Sequence, residues 1–206
     1  MRKGNFIVFE GIDGSGKTTQ FNLFCKELKN KGFDIFETSE PTRGNIGELI
    51  REKLHEDVEN SISKAMIFNL LFYADRVEHN LSIQKNLESG KLVVSDRYYH
   101  STLAYQAAQG LDLKLLVKFH KLLQDSGFVV KPDKVVFIDV PAEEAIKRIE
   151  AREKKRVEIF ERLEFLKKVR ENYLKLQEIL DENIFVVDGT GSVEEVRERV
   201  LSAVRV

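Results

Sequence analysis

The chain has 206 residues, 42% of them apolar, and its 33 basic and 34 acidic side chains leave a formal net charge of -1. One domain of this length buries roughly 70% of its unfolded surface, so it needs neither disulfides nor a structural metal to fold. The even charge argues against a dedicated nucleic-acid or anionic-membrane binder, and a lone cysteine, Cys25, excludes an internal disulfide or a cysteine-rich zinc site.

Asn5 to Glu10 is an apolar strand that stops at Gly11. A helix is predicted from Lys17 to about Lys31, with Phe21, Phe24, Cys25 and Leu28 on one face and Gly32 closing it. Phe33 to Thr38 reads as the second strand and Ile46 to Leu54 as a short helix. Ser61 to Ser89 is a long helical stretch ended by Gly90. Leu92 to Ser95 is the third strand, followed by helices near His100 to Gln109 and Asp112 to Ser126. Lys134 to Val140 is the fourth strand, and helix dominates from Ala142 to Leu180. Ile184 to Val187 is the fifth strand and Val193 to Val204 the last helix.

Apolar strands spaced by helices predict a parallel sheet covered on both faces. The expectation is an α/β doubly wound fold of about five strands in one domain, with ligands at the edge where the strands end. The start, Met1 to Asn5, leads into too few apolar residues for a signal peptide or membrane span, so the chain reads as soluble and cytoplasmic. Cys25 reads as a small buried hydrophobe.

Gly11-Ile12-Asp13-Gly14-Ser15-Gly16-Lys17-Thr18 fits the phosphate-loop pattern G-x-x-x-x-G-K-[ST], between the first strand and the first helix. Glycines let backbone N–H groups approach phosphate oxygens, and the helix N-terminus adds partial positive charge. Lys17 is expected to reach the β- and γ-phosphates of ATP, and the Thr18 hydroxyl to hold Mg²⁺. Thr19 stands where a Rossmann fingerprint would have its third glycine. A guanine-reading N-K-x-D string is missing, since Asn30-Lys31-Gly32-Phe33-Asp34 is out of register and wrongly placed. That disfavours a GTPase switch.

Asp96 and Arg97 directly follow the third strand, where an arginine can grip a phosphate; a buried structural ion pair is the alternative. Phe72 and Arg76 share a helical face, offering a ring and a guanidinium, although Phe72 also fits a core position. Ser101 could serve as a helix N-cap and Asp13 as a solvated loop carboxylate. Arg148, Arg152 and Arg156 recur every four residues, thickened by Lys154 and Lys155; they read as a closing lid or as a solvated face with pairs such as Glu144 to Arg148.

Glu40-Pro41-Thr42, Phe72-Tyr73-Ala74-Asp75-Arg76, Ser95-Asp96-Arg97-Tyr98 and Ser101-Thr102-Leu103-Ala104-Tyr105-Gln106 follow the phosphate loop in order. With it they resemble the thymidylate kinase family over nearly the whole chain. The resemblance implies a P-loop three-layer fold with a small helical lid near residues 148–160. It implies transfer of the γ-phosphoryl group of ATP to dTMP with Mg²⁺, by a homodimer; the apolar stripe near Ala65 to Leu71 is the candidate seam, with core as its alternative. It assigns the acceptor phosphate to Arg97, the base to Phe72 and Arg76, and the base edge to Ser101 and Thr102. Tyr105 would lie beneath the sugar, beside Gln106, and Glu40 and Pro41 would border the acceptor. Asp13 would bond the sugar and help order a metal site that includes Thr18 and Asp96. Relatives with Gly14 in place of a loop arginine put basic residues in the lid, which points to Arg152 and Arg156 beside Lys17, Asp13 and Arg97 as the catalytic set. The loop Asp188 to Ser192 would touch adenine or form a turn with an N-cap. A sibling kinase for another nucleotide or deoxynucleoside, and a non-enzymatic ATP-binding regulator, are the alternatives.

Overall fold

The computed structural model describes residues 4–55, 61–153 and 159–204, without the side chains of residues 55, 152, 153 and 159–161. Five strands, β1 (Phe6–Glu10), β2 (Ile35–Ser39), β3 (Leu92–Asp96), β4 (Lys134–Asp139) and β5 (Ile184–Asp188), form one parallel sheet in the order β2-β3-β1-β4-β5. The helices between them are α1 (Lys17–Asn30), α2 (Asn45–His55), α3 (Ile62–Glu88), α4 (Tyr99–Ala108), α5 (Leu113–Asp125), α6 (Ala142–Glu153) and α7 (Ile159–Ile179), and α8 (Val193–Val204) follows β5.

Alternation along β1 divides the interior in two, because successive side chains of a strand face opposite ways. Phe6 and Val8 join the core under α3 to α7, while Ile7 and Phe9 join the core under α1 and α8. Every residue of β1 and β3 is buried, whereas the edge strands β2 and β5 are half-open. This three-layer α/β arrangement is the expected fold. Among the described residues no helix is long and apolar enough to cross a membrane.

One boundary differs from expectation. β2 begins at Ile35 because Phe33 belongs to the close of α1: Gly32 takes φ 88° and the Phe33 N–H donates to the Leu28 carbonyl at 3.1 Å. The described parts of the stretch from Ala142 to Leu180 are helical, as expected. Cys25 is buried in the core beneath α1, and burial pushes its thiol up to about 12, so it behaves as the expected hydrophobe. Of all β-strand exits, that of β3 has the least ordinary backbone: Arg97 adopts φ 73°, the left-handed region.

Candidate active site

The phosphate loop joins β1 to α1 at the centre of the sheet. Gly14 and Gly16 sit at φ 83° and 86°, and a Cβ at Gly14 would fall 2.3 Å from the Ala145 carbonyl oxygen. α6 therefore seals that side of the loop, leaving no room there for an arginine side chain. A cleft of about 400 Å³ opens over the loop, lined by Ile12 to Thr19 with Arg97 and Arg162. The Lys17 ammonium bonds Asp96 Oδ1, and Thr18 Oγ1 donates to Asp96 Oδ2 at 2.7 Å. Burial pushes the Lys17 pKa down and Arg97 adds to the effect, while Asp96 opposes it. One hydroxyl and one carboxylate side by side are oxygen ligands suited to Mg²⁺, which takes its remaining ligands from phosphates and water.

A second cleft, of about 240 Å³, lies between α3, α4 and the segment after β2. Ten residues singled out from the sequence line it together: Asp13, Glu40, Pro41, Phe72 and Arg76 on one part of the wall, Arg97, Ser101, Thr102, Tyr105 and Gln106 on the rest. Arg76 is wholly buried between the rings of Tyr73 and Tyr98, at 4.8 and 5.3 Å, while Phe72 is partly open. Apolar and charged residue types thus exchange their usual places, because the guanidinium is paired. Its Nε and Nη2 donate to Glu40 Oε2 at 2.9 and 2.6 Å, and Nη2 also reaches Thr102 Oγ1 at 3.0 Å. Burial alone would lower its pKa, but Glu40 and the two tyrosines hold it raised. Among the described residues Nη1 has no partner, and neither does the buried amide oxygen of Gln106. A donor and an acceptor are therefore left unsatisfied in the wall of an apolar slot, which is what a planar base with one carbonyl and one N–H would complete.

Glu40 is itself oriented from behind: Oε1 lies 3.0 Å from His79 Nδ1, and His79 Nε2 lies 2.6 Å from Thr38 Oγ1. Asp75 fixes the turn after Pro41 by accepting from Thr42 N and Oγ1 at 2.8 and 2.5 Å. In the sequence, Asp75 appears only as part of the Phe72–Arg76 string, and His79 shows nothing beyond a three-residue spacing from Arg76, which surface positions share.

Asp13 and Arg97 line both clefts. Arg97 Nη2 donates to Asp13 Oδ1 at 2.5 Å, Nη1 donates to Ser101 Oγ at 2.8 Å, and the guanidinium lies 5.3 Å over the Tyr105 ring. The Asp13 N–H in turn donates to the Tyr105 hydroxyl at 3.1 Å. Ser101 does not cap α4, whose N-cap position is Tyr98; its hydroxyl is engaged with Arg97, Glu10 and Tyr173.

Of the basic residues in the expected lid, Arg148 is the best defined. It pairs with Glu144 at 3.0 Å and also donates to the carbonyls of Ser15 and Gly189, at 3.3 and 3.1 Å. It thus links the phosphate loop to the loop after β5. That second loop is a turn closed by a capping box, in which Ser192 N donates to Glu195 Oε2 at 2.8 Å and Glu195 N to Ser192 Oγ at 3.3 Å. Arg152 lies in α6 with its side chain outside the described residues, and Arg156 lies wholly outside them. Arg162, which lies outside that four-residue spacing, lines the cleft over the phosphate loop.

Comparison with known proteins agrees with this geometry. The model of the family described as Thymidylate kinase matches residues 9–200. A protein of Thermococcus gammatolerans named "Probable thymidylate kinase" is 44% identical over 207 residues, covering 98% of this chain and 96% of its own. Proteins of the same name from Pyrococcus abyssi and Methanocaldococcus jannaschii are 42% and 41% identical, over 98% and 95% of this chain and 97% and 93% of theirs.

Proposed function

The chain belongs to the thymidylate kinase family, and on that premise we propose how its two clefts divide the work. The enzyme transfers the γ-phosphoryl group of ATP to dTMP, giving dTDP and ADP. The triphosphate lies along the backbone N–H groups of Gly11 to Thr19, with Lys17 on its β- and γ-oxygens. dTMP fills the other cleft, its base between Phe72 and the free Nη1 of Arg76, its sugar over Tyr105, and its phosphate on Arg97. A phosphate oxygen of dTMP bonds to the γ-phosphorus as the bond from that phosphorus to the β,γ-bridging oxygen breaks. The acceptor is already an anion near neutral pH, so no strong general base is needed, and catalysis is positioning plus charge neutralisation.

Thr18 and Asp96 would hold Mg²⁺ with ATP, where the ion neutralises charge on the phosphates. The segment 148–160 acts as the lid, with Arg152 and Arg156 supplying cations and excluding water. Arg162 joins them from the lining of the donor cleft. A homodimer through the outer stripe of α3 is part of the same proposal: Ile67, Leu70 and Leu81 are 52%, 51% and 70% exposed, while Ala65 and Phe68 on the other face are core.

One observation carries the assignment. Asp13 and Arg97 border both clefts, and among the described residues they are the pair that the two linings share, which is where the two phosphates would meet. ADP release measured across dTMP, dUMP, UMP, CMP, GMP and AMP tests it. dTMP should be the preferred acceptor; another preference moves the protein to a sibling activity, and no turnover with any of them refutes a kinase. Sedimentation at micromolar concentration should give a dimer that Leu70→Glu separates.

A further inference from the structure

Building on the acceptor role of Arg97, we propose that Glu10 is the positioning residue that aims the Arg97 guanidinium at the acceptor phosphate. Glu10 ends β1, one place before the phosphate loop, and is completely buried. Its oxygens face two sets of donors. Oε1 accepts from the backbone N–H of Tyr98 at 2.8 Å and of Ser101 at 3.3 Å. Those are the N-cap and third residues of α4, the N–H groups that a local cap would serve, and Tyr98 supplies no side-chain cap. Glu10 thus caps α4 from the neighbouring strand, with its charge at the positive end of the helix.

Oε2 accepts from Ser101 Oγ at 2.6 Å and from the Tyr173 hydroxyl at 2.9 Å. A carboxylate only accepts, so Ser101 must point its proton at Glu10 and turn a lone pair toward Arg97. Arg97 Nη1 donates to that lone pair at 2.8 Å. The relay runs one way, from guanidinium to hydroxyl to carboxylate. β1 also holds the main chain of the same residue: Arg97 N donates to the Phe9 carbonyl at 2.9 Å, which secures the left-handed backbone. The strand that launches the donor loop therefore fixes the acceptor arginine twice, once through the backbone and once through Glu10. Asp13, which Arg97 Nη2 reaches directly, is half exposed and on a loop, and Nη1 also lies 3.4 Å from the Gly11 carbonyl of that loop; the Ser101–Glu10 relay ties the guanidinium to a fully buried anchor instead.

Calorimetric titration of the full chain with dTMP and with thymidine, which lacks the phosphate, tests the relay. Glu10→Gln should weaken dTMP about tenfold or more and leave thymidine and ATP within about twofold. In an Arg97→Ala background Glu10→Gln should cost nothing further for dTMP. Equal losses for dTMP and thymidine would mean a collapsed cleft and overturn the inference, as would full additivity with Arg97→Ala. Should Glu10→Gln fail to fold by circular dichroism, Ser101→Ala keeps the capping carboxylate and must show the same phosphate-specific loss; unchanged dTMP affinity there refutes the relay. A wild-type protein that binds dTMP no better than thymidine removes the acceptor role of Arg97 itself, and the relay with it.

Discussion

Under the proposed assignment, the two clefts grip anions by opposite means. The donor cradle is one run of sequence whose grip comes from backbone: left-handed glycines, a helix N-terminus and a single lysine. The acceptor cleft is assembled from β2, α3, β3 and α4, and its grip comes from guanidinium groups that would be costly to bury without partners. A backbone cradle is pre-shaped by the turn itself. A side-chain cleft must be aimed from behind, and here that aiming uses Glu40 and His79 for Arg76, and Ser101 and Asp13 for Arg97. The difference teaches where tolerance lies: the donor side should fail at one residue, the acceptor side by degrees.

The largest effect should come from Lys17→Ala. Loss of a cation that acts on the transferring group costs about 10³-fold in kcat, about 4 kcal/mol. KM for dTMP should move little, since Lys17 does not line the acceptor cleft. A comparable rise in KM for dTMP in steady-state kinetics would erase the division between the clefts. Next comes Arg97→Ala, expected to cost about 10²-fold in kcat/KM for dTMP, about 2.7 kcal/mol. Its effect on KM for ATP should be much smaller, although Arg97 borders the donor cleft as well. Equal losses for both substrates would mean that it serves the donor as much as the acceptor.

Acid sensitivity should separate the two halves further. Tyr99 and His100 at the start of α4 meet His120 of α5 and Glu182. The His120 ring is 3.8 Å from that of Tyr99, and both its nitrogens are buried without a partner among the described residues. Burial pushes the imidazole down from 6.5 to about 3. The unfolded chain therefore takes up a proton as pH falls through the ordinary histidine range, while the folded chain resists until about 3; stability present at neutral pH drains across that window. Glu182 adds to the loss. Burial alone would raise its carboxyl, but His100 and Tyr99 bond it and hold it at about 2 against an ordinary 4.5, so its contribution disappears as pH falls from 4.5 toward 2. His120→Phe should shrink the fall in Tm between pH 7 and pH 4 by about 6 °C, equivalent to about 2 kcal/mol. An unaltered pH slope in calorimetry would show that the buried imidazole is not what acid attacks.

The same contrast governs what could be read from sequence. The donor loop was complete in eight consecutive letters because its chemistry is local, and the sheet followed from apolar strands between helices. Arg97 was visible for a related reason, since it directly follows a strand on the ligand edge. Phe72 and Arg76 needed family resemblance, because helical spacing alone favours the ring as core and the guanidinium as surface, and the fold does the reverse. Glu10 and His79 carried no local sign. Each matters through partners dozens of residues away, such as Tyr173 or Glu40, which only the folded chain brings near. Arg162 lies outside the four-residue spacing of Arg148, Arg152 and Arg156, so that spacing does not point to it.

Tyr105 is the seam between the two clefts, and it carries the smallest predicted effect. Its hydroxyl accepts from the Asp13 N–H of the donor loop, its ring lies under the Arg97 guanidinium, and its edge meets Phe165 of α7 at 6.0 Å. A ring held on three sides cannot retreat from a sugar resting on it, so an added 2′-hydroxyl must either clash or lift the nucleotide off Arg97. Tyr105→Ala removes the obstacle together with the stacking on Arg97. Turnover with dTMP should fall, while discrimination between dTMP and its ribose counterpart should narrow about fivefold to tenfold, about 1 kcal/mol. Tyr105→Phe keeps the ring and gives up only the bond to Asp13 N, an exposed group that water can serve. It should retain the discrimination. If both variants kept wild-type selectivity in competition assays, the sugar would have to be read elsewhere in the cleft. If both lost it, the hydroxyl bond to the donor loop, not the bulk of the ring, would be setting the shape of the acceptor site.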